Sequence, residues 1–302
     1  MPLTSILAPV DFSEDSVRGA SLARDIAGRH AARLTLLHVD GLPSYTEHVA
    51  QAAPAGGWAD YFEQRDELLR QALRDLASRL QCPSDVECVL ARGDAAKSIA
   101  EHARKQNCDL VVVSPRGSGY GHQFLLGSVS TELASSATCP VLVARARSGP
   151  VSETGAFANP LVTVSNVQLA EQALSLTMDL TQRNTTVQLL HVLESLEISV
   201  GPPLPGAFQQ AVQRRREELE AELRRLAEPI EREGFATSIR VESGNPSFSI
   251  LCRLETDPSG LVVVSRKTRA DGQGALATPA YRMLKHSPVP VLVVPGVAAA
   301  AS

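Results

Sequence analysis

The sequence holds no C-x-x-C pair, and its cysteines number five (Cys82, Cys88, Cys108, Cys139, Cys252). An odd count without metal-ligand spacing argues against a disulfide framework and a structural zinc site, and fits a reducing compartment. Neither charge sign dominates: 29 Lys and Arg stand against 33 Asp and Glu, a net charge of -4. The deficit is shared evenly by the two halves, so no basic half exists to grip a phosphate backbone, and no nucleic-acid partner is expected. Long apolar runs are missing as well. Leu110 to Val113, Leu261 to Val264 and Val289 to Pro295 are far too short to span a bilayer, so no membrane association is expected. The first residues carry no basic stretch and soon reach Asp11, against a secretory leader. Nor is there an H-E-x-x-H, a P-loop lysine or a G-x-S-x-G elbow. These absences predict a soluble cytoplasmic protein with no catalytic or metal constellation of those kinds.

What is present is a repeat. Leu36-Leu37-His38-Val39 returns as Leu189-Leu190-His191-Val192, and Pro140-Val141-Leu142-Val143 as Pro290-Val291-Leu292-Val293. Between them Asp109 to Ser114 is echoed by Gly260 to Ser265, and Gly93 by Gly244. Echoes in one order at nearly one spacing mark a tandem duplication. The 302 residues accordingly divide into a first domain over 1–146, a linker over 147–158, a second domain over 159–296 and a tail over 297–302.

Within each copy short β-branched runs alternate with longer helical patterns. The first copy reads as strands near 4–10, 34–39, 85–91, 109–114 and 140–145, with helices near 13–30, 60–80, 94–106 and 128–138. The second has strands near 160–165, 186–193, 236–242, 260–265 and 290–295. Continuous apolar strands separated by crossover helices predict an α/β fold, two doubly wound parallel five-stranded sheets in tandem. Helical spacing places Leu68, Leu69, Ala72, Leu73, Leu76 and Leu80 on one buried stripe. Val212, Leu219, Leu223, Leu226 and Ile230 form another, with pairs such as Glu220 and Arg224 on its wet face.

In such a sheet ligands bind at the carboxyl ends of the strands, beside the switch in strand order. Two first-copy segments carry suitable chemistry. One is Val10-Asp11-Phe12-Ser13, where a strand gives way to a helix. The other runs from Ser114-Pro115-Arg116-Gly117 to Gly127-Ser128-Val129-Ser130. Glycines let main-chain N–H groups converge on an anion, and the helix opening near Ser128 aims its own N–H groups and positive dipole end at the same place. Ser128 and Ser130 add hydroxyls, and Arg116 adds a charge suited to phosphate. The plainer alternatives stand beside these: Asp11 as a helix cap, the glycine run as a loop, Arg116 as a solvated cation.

These segments resemble the universal stress protein family in its tandem form. Gly117, nine intervening residues and then Gly127-Ser128 match the second and third elements of the motif Gly-x2-Gly-x9-Gly-Ser/Thr shown by the family's ATP-binding members, whereas Ser114 stands where the first glycine would be. The resemblance implies a Rossmann-like sheet of the adenine nucleotide α-hydrolase type. It places Asp11 and Val39 against adenosine and Gly117, Gly127, Ser128 and Ser130 against phosphates, with ATP as the ligand and a divalent ion such as Mg2+ able to accompany it. It also implies that the two copies pair as an internal pseudo-dimer through their last strands, and that tandem chains associate as dimers. In the second copy the glycines are gone, Ala277 replaces the third, and Ser165 stands for Asp11, so ATP is expected in the first domain only, with a structural or regulatory second domain. Arg266, Lys267 and Arg269 remain there as a basic cluster that could attract another anion. His38 and His191 share a place in both copies, which favours packing or hydrogen bonding over catalysis. With no residue placed to activate water, hydrolysis is expected to be slow at most. Two alternatives stay open: a nucleotide-free stress regulator acting through protein contacts, and a slow ATPase or phosphotransfer enzyme.

Overall fold

The computed structural model describes residues 3–41, 57–116, 127–145, 157–194, 206–257, 259–266, 276 and 278–296. The chain divides into two compact units. The first contains β1 (Ser5–Pro9), α1 (Glu14–His30), β2 (Arg33–Asp40), α2 (Gly57–Arg79), β3 (Glu87–Arg92), α3 (Ala95–Lys105), β4 (Leu110–Val113), α4 (Ser128–Ser136) and β5 (Val141–Val143). Its strands are parallel in the order β3-β2-β1-β4-β5. The chain winds outward from β1 on one side and from β4 on the other, so the switch in strand order lies between β1 and β4.

The second unit contains β6 (Leu161–Thr163), α5 (Val167–Leu180), β7 (Thr186–Glu194), α6 (Gly206–Arg232), β8 (Ala236–Gly244), α7 (Pro246–Thr256), β9 (Val262–Arg266), α8 (Thr278–His286) and β10 (Val291–Pro295). Its order, β10-β9-β6-β7-β8, repeats the same winding with every pair parallel. Several strands are buried along their whole length: all five residues of β1, all four of β4 and all five of β10 are shielded from solvent. That is why they read as unbroken apolar runs. Among the described residues no helix is long and apolar enough to cross a membrane.

Caps set the helix boundaries. Ser13 accepts from the Ser16 N–H to open α1, with Glu14 and Asp15 in the first turn, where the dipole favours negative charge. The echo of Gly93 in Gly244 has a backbone cause. Gly93 directly follows β3 and Gly244 ends β8, both with positive φ (106° and 145°), a region where a side chain is strained. Each precedes a capping residue: Asp94 opens α3 by accepting from Lys97 N, and Asn245 opens α7 by accepting from Phe248 N.

Two readings of the helical stripes need correction. On α2, Leu73, Leu76 and Leu80 are buried, with Leu69 and Ala72 half-buried, yet Leu68 is 72% exposed. The stripe on a 3.6-residue period runs through 69, 73, 76 and 80, and residue 68 lies about 100° off it. On α6, Leu219, Leu223, Leu226 and Ile230 are buried, while Val212 is 42% exposed. Residues 209–218 are all exposed, so this helix meets the sheet only from Leu219 onward. On its wet face Glu220 pairs with Arg216 at 3.4 Å, and Arg215 with Glu218 at 3.0 Å. The five cysteines carry free thiols, and burial pushes those of Cys82, Cys88 and Cys108 up, away from thiolate reactivity.

Candidate functional site

At the carboxyl end of β1 the ladder runs one residue past the strand, with Val10 N donating to Leu37 O at 2.8 Å. The chain then turns sharply at Phe12, whose φ of 64° is unusual for a bulky residue. Two contacts hold it there. The Phe12 ring packs on His38 with centroids 4.7 Å apart, and His38 Nδ1 lies 2.8 Å from the Val10 carbonyl oxygen. A carbonyl can only accept, so Nδ1 carries the proton. His191 makes the same bond to Val164 O at 2.6 Å. The histidine at the end of strand two is therefore a structural stitch in both units.

Asp11 lies just before this corner and is half-buried. Its Oδ1 accepts from Ser13 N at 3.1 Å and from Ser13 Oγ at 2.6 Å, an Asx turn. Helix α1 is capped by Ser13, so the alternative of Asp11 as the cap is set aside. Val39 is half-buried on β2, one residue past His38 and in register with Ala91. The adjoining Asp40 is almost fully buried, and Arg65 of α2 grips it with both forks, at 2.8 and 2.9 Å. The Arg65 hydrogen bond holds the Asp40 carboxyl below the usual carboxylate range. That pair ties α2 to the end of β2.

The second segment leaves β4 at Ser114. Ser114 is buried, it is not among the residues with positive φ, and its Oγ donates to Arg116 O at 2.6 Å. The motif's first position thus has ordinary backbone here and tolerates a side chain, which moreover closes a turn. Gly127 N donates to Pro115 O at 2.7 Å, and Ser130 Oγ donates to the same oxygen at 3.2 Å and to Gly127 O at 3.0 Å. A Cβ at residue 127 would stand 3.2 Å from Pro115 O, tighter than side chains normally pack, and at ordinary contact distance, 3.6 Å, from Arg116 Cα. The position favours glycine because two main-chain segments converge there, although its backbone angles (φ -65°, ψ 146°) are open to any residue.

Gly127 is the N-cap of α4 and brings no capping side chain. The first N–H groups of a helix have no acceptor within it, so those of Ser128, Val129 and Ser130 leave α4 at this turn. The Ser128 side chain is exposed, whereas Ser130 is buried and its hydroxyl buttresses the turn. Arg116 places Nε 3.3 Å from Asp15 Oδ2, which joins the end of β4 to the first turn of α1. Gly117 lies outside the described residues.

One cation escaped the sequence reading. Arg145 follows β5, and its guanidinium is pushed below its usual range by burial and by the positive charge of Arg116. The two guanidiniums thus lie within electrostatic reach of each other, with Asp15 paired to Arg116. A lone Arg after an apolar strand carries no motif; its place at the end of the last strand was the available signal.

The second unit departs at each of these points. Ser165 stands exposed where Asp11 would be, and Asn166 accepts from Leu169 N at 3.4 Å to open α5. Arg266 is 2% exposed, so it leaves the basic cluster expected there and belongs to the interior. A Cβ on Gly296 would meet the Leu169 side chain at 2.5 Å and Arg266 O at 3.0 Å, so the main chain just after β10 packs closely against Leu169 and the end of β9. Pro279, in the first turn of α8, has no N–H to offer. Lys267, Arg269 and Ala277 lie outside the described residues.

Comparison with known proteins bears on both units. A model described as the universal stress protein family matches residues 3–145 and again 158–295. The chain belongs to the universal stress protein family. Universal stress protein YxiE of Bacillus subtilis is 29% identical over 149 residues, 46% of this chain and 97% of that protein. Universal stress protein A homolog 2 of Coxiella burnetii is 32% identical over 126 residues, 41% of this chain and 81% of its own. Each thus corresponds to a single unit. Over the whole length, the crystal structure of a universal stress protein from Archaeoglobus fulgidus DSM 4304 superposes with a TM-score of 0.67 at 20% identity, covering 97% of this chain and 96% of that one. At that identity the likeness concerns the fold.

Proposed function

We propose that the first unit binds ATP or a related adenine nucleotide, with Asp11 and Val39 toward adenosine and Gly117, Gly127 and Ser128 toward the phosphates. The observation that carries this reading is the Gly127 turn: a cradle that a Cβ would fill, opening onto the unsatisfied end of α4. Ser130 contributes its main-chain N–H, its hydroxyl being given to Pro115 and Gly127. Arg116 and Arg145 supply the positive charge a polyphosphate needs. When bound with the nucleotide, a divalent ion such as Mg2+ would offset phosphate charge; the residues of this chain bind and orient.

The ordinary φ at Ser114 supports retention of binding despite the missing glycine. No described side chain is placed to activate a water beside the Gly127 turn, so the reading is a binding protein of the stress response, with hydrolysis slow at most. The second unit, with Ser165 in place of Asp11 and Pro279 in the first turn of α8, serves as a structural or regulatory partner. Dimers of the tandem chain are part of the same reading, to be checked by light scattering.

The experiment is a melting curve with and without ATP. Saturating ligand raises Tm by mass action, about 2.7 kcal/mol of added stability at a hundred times Kd. No shift at millimolar ATP would overturn the reading in favour of a nucleotide-free regulator. Product analysis after long incubation separates binding from turnover.

A further inference from the structure

The two units keep the same buried positions on their third and fourth helices and differ on the outward faces. Buried Ala96, Ile99 and Ala103 of α3 answer to Ser247, Ile250 and Leu254 of α7. Ser130, Leu133 and Ala134 of α4 answer likewise to Ala280, Met283 and Leu284 of α8. Counted from those matches, Phe248 stands where the first unit has Lys97, and Tyr281 where it has Thr131. Phe248 is 68% exposed and Tyr281 44%. The fold needs a ring at neither place, since the first unit reaches it with a cation and a hydroxyl.

Helices α7 and α8 pack against each other. Each follows a strand of one parallel sheet, so both run the same way, and the turns that carry Phe248 and Tyr281 lie at the same end. Leu251 and Cys252, three and four residues beyond Phe248 and half-buried, extend the apolar surface along α7. On α8, Arg282, Lys285 and His286 are exposed beside Tyr281. Against them the two helices expose one carboxylate, Glu255 near the end of α7, while Arg253 is held between Glu242 and Asp257. An apolar stripe with two rings thus borders a cationic one. Clustered exposed apolar side chains and rings with arginine beside them are what interfaces are made of. The matching face of the first unit, with Lys97, Glu101, Thr131, Glu132 and Ser135, has neither stripe.

We propose that the α7–α8 face of the second unit is a docking surface for an acidic amphipathic helix of another protein. Its apolar side chains lie on Phe248, Leu251 and Tyr281, and its carboxylates face Arg282 and Lys285. Helix α7 spans 11 residues, about 16 Å, room for about three turns of such a partner. A second copy docked face to face would lay this net-positive surface on itself, which disfavours it. The surface is independent of nucleotide at the first unit.

The test is calorimetric titration of the full chain with a synthetic peptide of about 18 residues, long enough to hold a helix. It carries leucine on one face and glutamate on the other, and its counterpart carries lysine for glutamate. One glutamate peptide per chain is expected, with the lysine peptide at least about tenfold weaker. The difference shrinks as salt rises. Phe248→Lys with Tyr281→Thr copies the first unit's residues, so Tm and ATP binding stay unchanged while peptide binding is lost. Arg282→Glu with Lys285→Glu reverses the preference between the two peptides. No binding of the glutamate peptide at millimolar concentration, equal affinity for both peptides, or undiminished binding in Phe248→Lys/Tyr281→Thr each overturns the proposal. So does a dimer of the chain, seen by light scattering, that the same double variant dissolves, since a second copy then covers the face.

Discussion

Gly127 and Pro115 meet main chain to main chain: the Gly127 N–H donates to the Pro115 carbonyl at 2.7 Å, and a side chain at 127 would press on that oxygen from 3.2 Å. The two residues bracket the whole glycine-rich segment, so their contact fixes where it leaves the sheet and where it returns. Gly127→Val presses a side chain against the Pro115 carbonyl. ATP affinity, measured by calorimetry, should fall at least about tenfold, with a stability loss of only about 1–2 kcal/mol because the strained contact lies at the rim.

Ser114 gives the opposite expectation. Its backbone is ordinary and its hydroxyl satisfies Arg116 O. Restoring the motif glycine with Ser114→Gly removes that bond and adds chain freedom, so Tm should drop by an amount worth about 1–2 kcal/mol. ATP affinity should change less than about threefold. A large gain in affinity would show that the serine obstructs the site.

Arg116 and Arg145 are expected to act on charge. Arg116→Gln and Arg145→Gln should each weaken ATP binding while leaving adenosine binding at the first unit nearly unchanged. The losses should shrink as salt rises, since the interaction is electrostatic. Equal losses for ATP and adenosine would mean that the arginines serve the fold.

Asp40 and Arg65 govern an acid limb. Because Arg65 depresses the folded-state pKa of Asp40, the pair's stabilisation is present above the unfolded value near 3.8 and is lost as pH falls through the lower folded one. Arg65→Ala should cost about 2 kcal/mol at pH 7. The gap from wild type should narrow below about pH 4 in urea melts.

His102 governs a milder slope. Its Nε2 is buried without a hydrogen-bond partner, and burial depresses its pKa; Lys105 adds to the depression and Glu87 opposes it. The unfolded chain therefore takes up a proton before the folded one, and stability falls as pH drops below about 6.5. His102→Leu should flatten the stability profile between about pH 7 and 5 in urea melts.

The parallel α/β class and the placement of strands and helices were legible because strands buried on both faces must be apolar throughout, and the duplication wrote that signal twice; the strand order was not read from the sequence. Solvent exposure was less legible. Leu68 lies off the 3.6-residue period that its buried neighbours keep, whereas for Val212 only the tertiary fit decides that α6 engages the sheet from Leu219. Arg266 was expected in a basic cluster able to attract an anion, because a cation after a strand ordinarily reaches water; its 2% exposure is set by tertiary packing that the side-chain pattern does not record. Arg145 is the reverse case, a residue without a motif that the sheet's winding carries to the charged edge of the site. The small-residue turn at Gly127 was visible in the spacing, whereas its partner carbonyl at Pro115 was not, since backbone contacts leave no mark on side-chain pattern.

The histidine stitch made by His38 and His191 has an evolutionary corollary. It secures the strand-two corner from within the polypeptide, so the corner does not need a guest molecule to keep its shape. A doubled gene could therefore let one descendant drift in ligand preference while both went on folding.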